Sequence, residues 1–281
     1  MPEPQNLSPI ADQPVSVILL AHNDEPHVEK VLDAWTAQLN ALGRTHEILL
    51  IDDGSTDGTA AKAESVCSRL PALRVIRLSL PHGIGAALRA GVAQAQFPLV
   101  LYTTADEQYL PADLPLLLKE IDRVHLVSGF RRWQPAPLSA RLLGGAYRIL
   151  ARVLFDFPMP APPGWLGWKE CSYRWLIRVI FAVRSMDLNC YFVLCRREIF
   201  AHLPIQSTGP FAHTEIVAKV NFLGYLIAEE VPISYRPQAA KGRPPEWFAD
   251  FMRVRRDPDF SAVSLAPLKP AEEKNAASVA S

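Results

Sequence analysis

The sequence predicts an α/β protein built on a doubly wound, mostly parallel sheet. Three observations carry that prediction: short apolar, β-branched runs recur through the first half of the chain, helix-length segments separate them, and the loops that follow the runs are polar or rich in glycine. The first run, VSVILL (Val15 to Leu20), is bounded by a polar cluster and reads as a strand buried on both faces of a parallel sheet. EILLID (Glu47 to Asp52), RVIRLS (Arg74 to Ser79) and PLVLYT (Pro98 to Thr103) repeat the pattern. Glu25 to Leu42, Thr56 to Arg69 and Gly85 to Ala95 supply the helices between them. Alternation at this spacing predicts βαβ units with right-handed crossovers. Ligands in such sheets sit beyond the carboxyl ends of the strands. That rule selects the loops AHNDE, DDGSTDGT, LPHGIG and TADEQ as the candidate site.

Composition bounds the rest. With 281 residues, 49% hydrophobic and 21% charged, the chain is long enough to bury one substantial core. Lys plus Arg and Asp plus Glu are each 29, so no global basic field draws the protein onto nucleic acid, and any basic function is local. Cys67, Cys171, Cys190 and Cys195 form no Cys-x-x-Cys pair, which argues for reduced thiols in a cytosolic setting and against structural zinc. MPEPQNLSPIADQP lacks the basic and apolar regions of a signal peptide, and residues 1–13 are expected to be a flexible lead-in. No run of membrane-spanning length occurs, and WLIRVIFAV is interrupted by Arg178. Residues 261–281 carry little apolar surface to offset ordering entropy and are expected to be a disordered tail.

Two of the loops admit more than one reading. In DDGSTDGT, Gly54 permits a positive φ, Ser55 or Thr56 can cap the next helix, and Asp52 and Asp53 emerge at the strand end. That arrangement serves a tight strand-to-helix connection as well as a ligand-facing loop. GIGAAL hints at dinucleotide binding, but Leu88 holds the third glycine position and the segment follows the third strand rather than opening the fold.

Taken in order, VSVILLAHNDE, EILLIDDGSTDGTA, HGIGAALRAG, TADEQYLPADLP, VSGFR and DLNCYFVLCRRE resemble the family 2 glycosyltransferases of GT-A type. The resemblance is strongest to the branch that makes polyprenyl-phosphate sugars, and it covers about residues 14 to 240. It implies a Rossmann-like, GT-A fold with an interfacial helical insertion. Ala21, Asn23, Asp24, Asp52 and Asp53 match the positions that grip the base and ribose of a nucleoside-diphosphate sugar, linked to UDP or GDP. Leu20, His22 and Asp24 stand where the family usually has Pro, Tyr and Glu. The family's Asp-Ala-Asp-Gly-Gln-His becomes Thr104-Ala105-Asp106-Glu107-Gln108-Tyr109, which keeps the second Asp and the Gln. Mg2+ or Mn2+ is the implied cofactor, and because magnesium binds through one or two protein carboxylates plus phosphate oxygens, Asp106 alone can serve as its protein ligand. Glu107 is a weaker candidate. Arg89 falls in the region near the donor phosphates, or is a solvated helix cation.

For the acceptor, the resemblance implies Ser128 and Arg131, since a planar guanidinium grips phosphate oxygens bidentately. A phosphate monoester is already an anionic nucleophile near neutrality, so a polyprenyl phosphate acceptor needs no general base. Glu215 and His213 then take structural or loop-orienting roles. Asp187 is expected to shape the wall below the sugar, and Arg236, Lys241 and Arg243 are weaker phosphate-contact candidates on a basic mobile loop. Residues 138–181 mix Arg with Trp and Tyr at helical spacing, a composition that suits helices lying in a headgroup region or core helices with a solvated basic face; the resemblance implies the former, on the cytoplasmic face of a membrane. The expected organisation is a glycosyltransferase domain over 14–240, a basic loop and short helix over 241–260, and the tail. The implied reaction is metal-assisted, inverting sugar transfer to a polyprenyl phosphate. The alternatives are transfer to a soluble acceptor and nucleotide-sugar binding without catalysis.

Overall fold

The computed structural model describes residues 7–131, 176–183, 185, 187–227, 230–237 and 246–269. The four apolar runs form β1 (Val15–Ala21), β2 (His46–Asp52), β3 (Leu73–Arg77) and β4 (Leu99–Thr104), separated by α1 (Val28–Ala41), α2 (Thr59–Ser65) and α3 (Ile84–Gln94). Every residue of β1 is buried, as a strand covered on both faces requires. Its one polar residue, Ser16, is satisfied by donating Oγ to Glu47 Oε1 of β2 at 2.6 Å.

Beyond β4 come α4 (Leu114–Leu118), β5 (Leu126–Arg131), β6 (Phe192–Arg196), α5 (Ala212–Phe222), β7 (Val231–Ile233) and α6 (Glu246–Arg256). The sheet has seven strands in the order β3-β2-β1-β4-β6-β5-β7. The first four are mutually parallel, β6 runs antiparallel between β4 and β5, and β5 pairs with β7 in parallel. The sheet is thus mostly parallel and doubly wound, as predicted. From β1 the chain winds outward through β2 to β3, then returns to place β4 on the other side of β1. That reversal makes a topological switch point at the carboxyl ends of β1 and β4, where loops from the two halves diverge.

Most of the apolar interior is one cluster on the sheet, in which Trp35 of α1 stacks on Phe192 of β6 with ring centroids 6.0 Å apart. A smaller cluster joins Ile177 to Phe211, Val217, Phe251 and Val254, so the helical turn over 176–181 packs with α5 and α6. Within the segment expected at a membrane interface, residues 138–175 lie outside the described residues, as do Lys241 and Arg243.

Both chain ends depart from expectation where they are described. Residues 7–13 are not a loose lead-in. Asp122 Oδ1 accepts the Ile10 and Ala11 amides at 2.6 and 2.7 Å, and buried Arg196 donates Nη2 to the Ser8 carbonyl at 2.9 Å. Residues 261–269 are not disordered either. Their backbone bonds to Ala201, Ala93 and Gln96, Arg197 donates to the Ala266 carbonyl, and Leu265 packs on the main cluster. The reason is physical: backbone hydrogen bonds and one apolar anchor hold a segment whose composition alone would not order it.

Candidate active site

A cavity of about 520 Å³ opens at the switch point. Its lining includes Ala21 at the end of β1 with His22 and Asp24 after it, Asp53 after β2, His82 and Gly83 before α3, Thr104 and Asp106 at the end of β4, and Thr208 to Pro210. Three of the predicted carboxylates therefore meet at one place.

Each is set by its loop. Asn23 adopts a left-handed conformation with φ 55°, which a short polar side chain tolerates. Its Oδ1 accepts the Thr56 amide at 2.9 Å, and its own amide donates to Ser55 Oγ at 2.9 Å. The Asp24 amide donates to Thr59 Oγ1 at 2.8 Å, and Asp24 Oδ2 accepts the His22 amide at 2.9 Å. The first two loops are thereby laced together, with Asn23 as the lace and Asp24 facing the cavity. Thr56 bonds Asn23 Oδ1, so the Asn23 amide nitrogen faces His22 Nε2 at 3.3 Å, while His22 Nδ1 meets the Asp53 carbonyl at 2.8 Å. A carbonyl only accepts, so His22 is the Nδ1–H tautomer.

Asp53 accepts the His82 amide on Oδ1 and the Gly83 amide on Oδ2, each at 2.8 Å. It ties the β3–α3 loop to the end of β2. Gly83 has φ 94°, and a Cβ there would lie 2.4 Å from the Thr208 carbonyl oxygen. The glycines of GIGAAL thus allow close packing against the 207–209 segment. Asp52 is fully buried, holds the Ser55 hydroxyl and amide through Oδ1, and is not among the cavity-lining residues. Gly54 takes φ 61°, as the turn requires.

Asp106 is 8% exposed, and its Oδ1 accepts the Thr104 hydroxyl at 2.7 Å and the Gln108 amide at 3.3 Å. Glu107 turns the other way, with φ 60°, and pairs with Lys30 at 2.5 Å and His27 Nδ1 at 3.2 Å. The Lys30 ammonium holds the Glu107 carboxyl below the usual range. Gln108 Oε1 accepts the Tyr235 hydroxyl at 3.1 Å, and its carbonyl accepts the amide of exposed Arg236 at 2.9 Å.

The opposite wall was not anticipated. Four consecutive amides are pinned there by two carboxylates: Glu215 accepts Gln206 and Ser207 at 2.8 Å each, and Asp250 accepts Thr208 and Gly209 at 3.1 and 2.8 Å. Glu215 also pairs with Lys219 Nζ at 2.7 Å in the interior. Asp250 is 1% exposed in α6, and Glu215 is fully buried in α5. One signal for Asp250 was available, since it sits in the apolar phase of its helix with Trp247, Phe251 and Val254. Thr208, Gly209 and Pro210 carry only the turn signature of Gly-Pro.

The predicted phosphate-binding residues Arg89, Ser128 and Arg131 do not line this cavity. Arg89 donates Nη1 to the Ile205 carbonyl at 2.9 Å and does not line the cavity. Arg131 is gripped by Asp187 and lies with its guanidinium carbon 5.1 Å from the Tyr235 ring centroid. Burial opposes its charge, but the Asp187 carboxylate outweighs burial and raises its pKa. Ser128 is buried within β5 and donates to the Gly129 carbonyl at 3.2 Å. His213 is fully buried with Nδ1 2.8 Å from the Tyr102 hydroxyl, and burial lowers its pKa to about 4.

Comparison with known proteins agrees with this fold. The model of the glycosyl transferase family 2 matches residues 16–153. Dodecaprenyl-phosphate galacturonate synthase of Rhizobium johnstonii is 30% identical over 127 residues, which cover 44% of this chain and 38% of that protein. Undecaprenyl-phosphate 4-deoxy-4-formamido-L-arabinose transferase of Pseudomonas paraeruginosa is 32% identical over 130 residues, covering 42% and 38%. The matched stretch thus spans under two fifths of either relative. Glucosyl-3-phosphoglycerate synthase of Mycobacterium tuberculosis in complex with UDP superposes with a TM-score of 0.58 at 21% identity, covering 89% of this chain and 82% of that one. The same enzyme with Mn2+, UDP-glucose and phosphoglyceric acid gives 0.57 at 20% identity, with coverage of 89% and 82%. Over residues 16–153, just under half of the chain, the likeness is to the family 2 glycosyltransferases, and the architecture shared with the solved structures is a GT-A fold.

Proposed function

We propose that the chain transfers a sugar from a nucleoside-diphosphate sugar, linked to UDP or GDP, to a polyprenyl phosphate at the surface of a membrane, with inversion and with Mg2+ or Mn2+. One observation supports this above the others: Asp24, Asp53 and Asp106 line a single cavity at the switch point of the sheet. Asp24 and Asp53 stand at the base and ribose end, where carboxylates accept from ring N–H and hydroxyl donors. Asp106 stands at the diphosphate end.

The residues present fit a divalent cation that keeps its own waters. Among the described residues no group of three His, Cys, Asp or Glu is placed to hold a metal, so a dedicated protein cage is absent there. Asp106 would be its protein ligand, with the remaining positions filled by water and diphosphate oxygens. The chemistry supplied is charge neutralisation on the departing diphosphate. Asp106 is held ready for this by Thr104 and Gln108.

The polyprenyl-phosphate relatives support a lipid acceptor, and no helix of the described residues is long and apolar enough to cross a membrane. An acceptor of that kind would be met at the bilayer surface. Transfer to a soluble phosphorylated acceptor is the second reading, favoured by the pairing of Arg131 with Asp187, which leaves the predicted lipid-phosphate grip already engaged. The purified chain, incubated with UDP- and GDP-sugars, Mg2+ or Mn2+, and either undecaprenyl phosphate in detergent or 3-phosphoglycerate, distinguishes them. Glycolipid formed only with the lipid phosphate supports the first reading. Product from phosphoglycerate alone replaces it with the second, and nucleotide binding without product in any arm makes the chain a binding protein.

A further inference from the structure

The family motif has an aspartate where this chain has Thr104, and the structure shows what the threonine does. Its hydroxyl donates to Asp106 Oδ1 at 2.7 Å, and the Gln108 amide donates to the same oxygen at 3.3 Å. The Thr104 hydroxyl and the Gln108 amide are thus among the groups that hold the Asp106 carboxylate. Several other polar groups nearby already have partners. Glu107 is turned to Lys30 and His27, the Gln108 carbonyl oxygen of the side chain takes the Tyr235 hydroxyl, and both oxygens of Asp53 accept backbone amides.

We propose that Thr104 is a positioning residue, and that by standing as a hydrogen-bond donor where the family motif has a carboxylate it makes the divalent cation enter this site only together with the diphosphate. The inference rests on the reading of the cavity as a donor site. A hard cation with octahedral demand gains little from exchanging one of its waters for a single carboxylate. Diphosphate oxygens supply the further anionic ligands, so cation and nucleotide bind as a chelate or neither binds tightly. Thr104 contributes by holding Asp106 in the one rotamer that meets that chelate.

Mn2+ titration of the full chain, followed by loss of the free-ion EPR signal with and without UDP or GDP, tests this. The wild type is expected to take up Mn2+ only when a nucleoside diphosphate is present. Thr104→Asp should bind Mn2+ without nucleotide. Thr104→Ser keeps the hydroxyl and should match the wild type, whereas Thr104→Val should weaken the ternary complex about tenfold, the loss expected for one hydrogen bond to a carboxylate. If Thr104→Val does not fold, the Ser and Asp variants carry the comparison. Wild-type uptake of Mn2+ alone, as tight as that of Thr104→Asp, overturns the inference and leaves the donor site standing. Absence of nucleoside diphosphate binding with or without Mn2+ in the folded wild type overturns both.

Discussion

Asp187 grips Arg131 through both carboxylate oxygens, Oδ2 accepting from Nε and Oδ1 from Nη2 at 2.7 Å each, and Oδ2 also takes the Arg131 amide at 3.1 Å. The side chains are 11% and 5% exposed, so the pair joins the end of β5 to the approach of β6 inside the protein. Removing one partner leaves a buried charge without compensation. Asp187→Ala is expected to cost about 3–5 kcal/mol by urea denaturation. The double variant Asp187→Leu with Arg131→Met should recover part of that loss, because an apolar pair carries no desolvation cost while the Arg131 and Asn189 amides still lose their acceptor. A cost for Asp187→Ala below about 1 kcal/mol would mean the pair behaves as a solvated surface bridge.

Asp250 links α6 to the cavity through the Thr208 and Gly209 amides. Asp250→Ala releases both, at a stability cost of about 1.5–3 kcal/mol for each hydrogen bond to a charged group. The wall loses its shape with them, so UDP or GDP affinity by calorimetry should fall about tenfold or more. Unchanged affinity would separate α6 from the site.

Gly83 lines the cavity at a point where a side chain has no room. Gly83→Ala combines φ 94° with a Cβ 2.4 Å from the Thr208 oxygen. Backbone strain alone is expected to cost about 1–3 kcal/mol, and nucleotide binding should fall because both walls must move. Thermal unfolding and a nucleotide titration on the same preparation check both effects.

The burial of His213 has a pH consequence. Its pKa is lowered to about 4 in the folded protein against 6.5 in an exposed imidazole. The unfolded state therefore binds more protons between those values, and the folded state loses stability as pH falls from 6.5 toward 4. The window is worth on the order of 3 kcal/mol. His213→Gln, which can still bond the Tyr102 hydroxyl, should flatten that limb in denaturation curves measured across the window. An identical limb would assign the acid sensitivity to other groups.

The parallel half of the fold was legible because its signals are local. Apolar runs gave β1 to β4 within a residue or two, and the polar loops after them gave Asp24, Asp53 and Asp106. Helix starts were less legible: α1 begins at Val28 rather than Glu25 because Asp24 to His27 form a turn, and α2 begins at Thr59 because Asp57 accepts the Thr59 amide at 3.0 Å. Long-range pairings left no local trace. Nothing in FVLCR says that β6 inserts antiparallel between β4 and β5, and nothing in SGFRR says that Arg131 meets a carboxylate 56 residues away. The 206–209 wall was missed for the same reason, since its shape comes from carboxylates on α5 and α6.

The central claim is that Asp106 carries the cation that holds a donor diphosphate. Calorimetric titration of UDP and GDP into the wild type and Asp106→Asn, in Mg2+ or Mn2+ and again in chelator, tests it most directly. Metal-dependent binding to the wild type that is lost in both Asp106→Asn and chelator is the predicted result. Wild-type binding undiminished in chelator, or Asp106→Asn binding as tightly as the wild type in the presence of the metal, would contradict it.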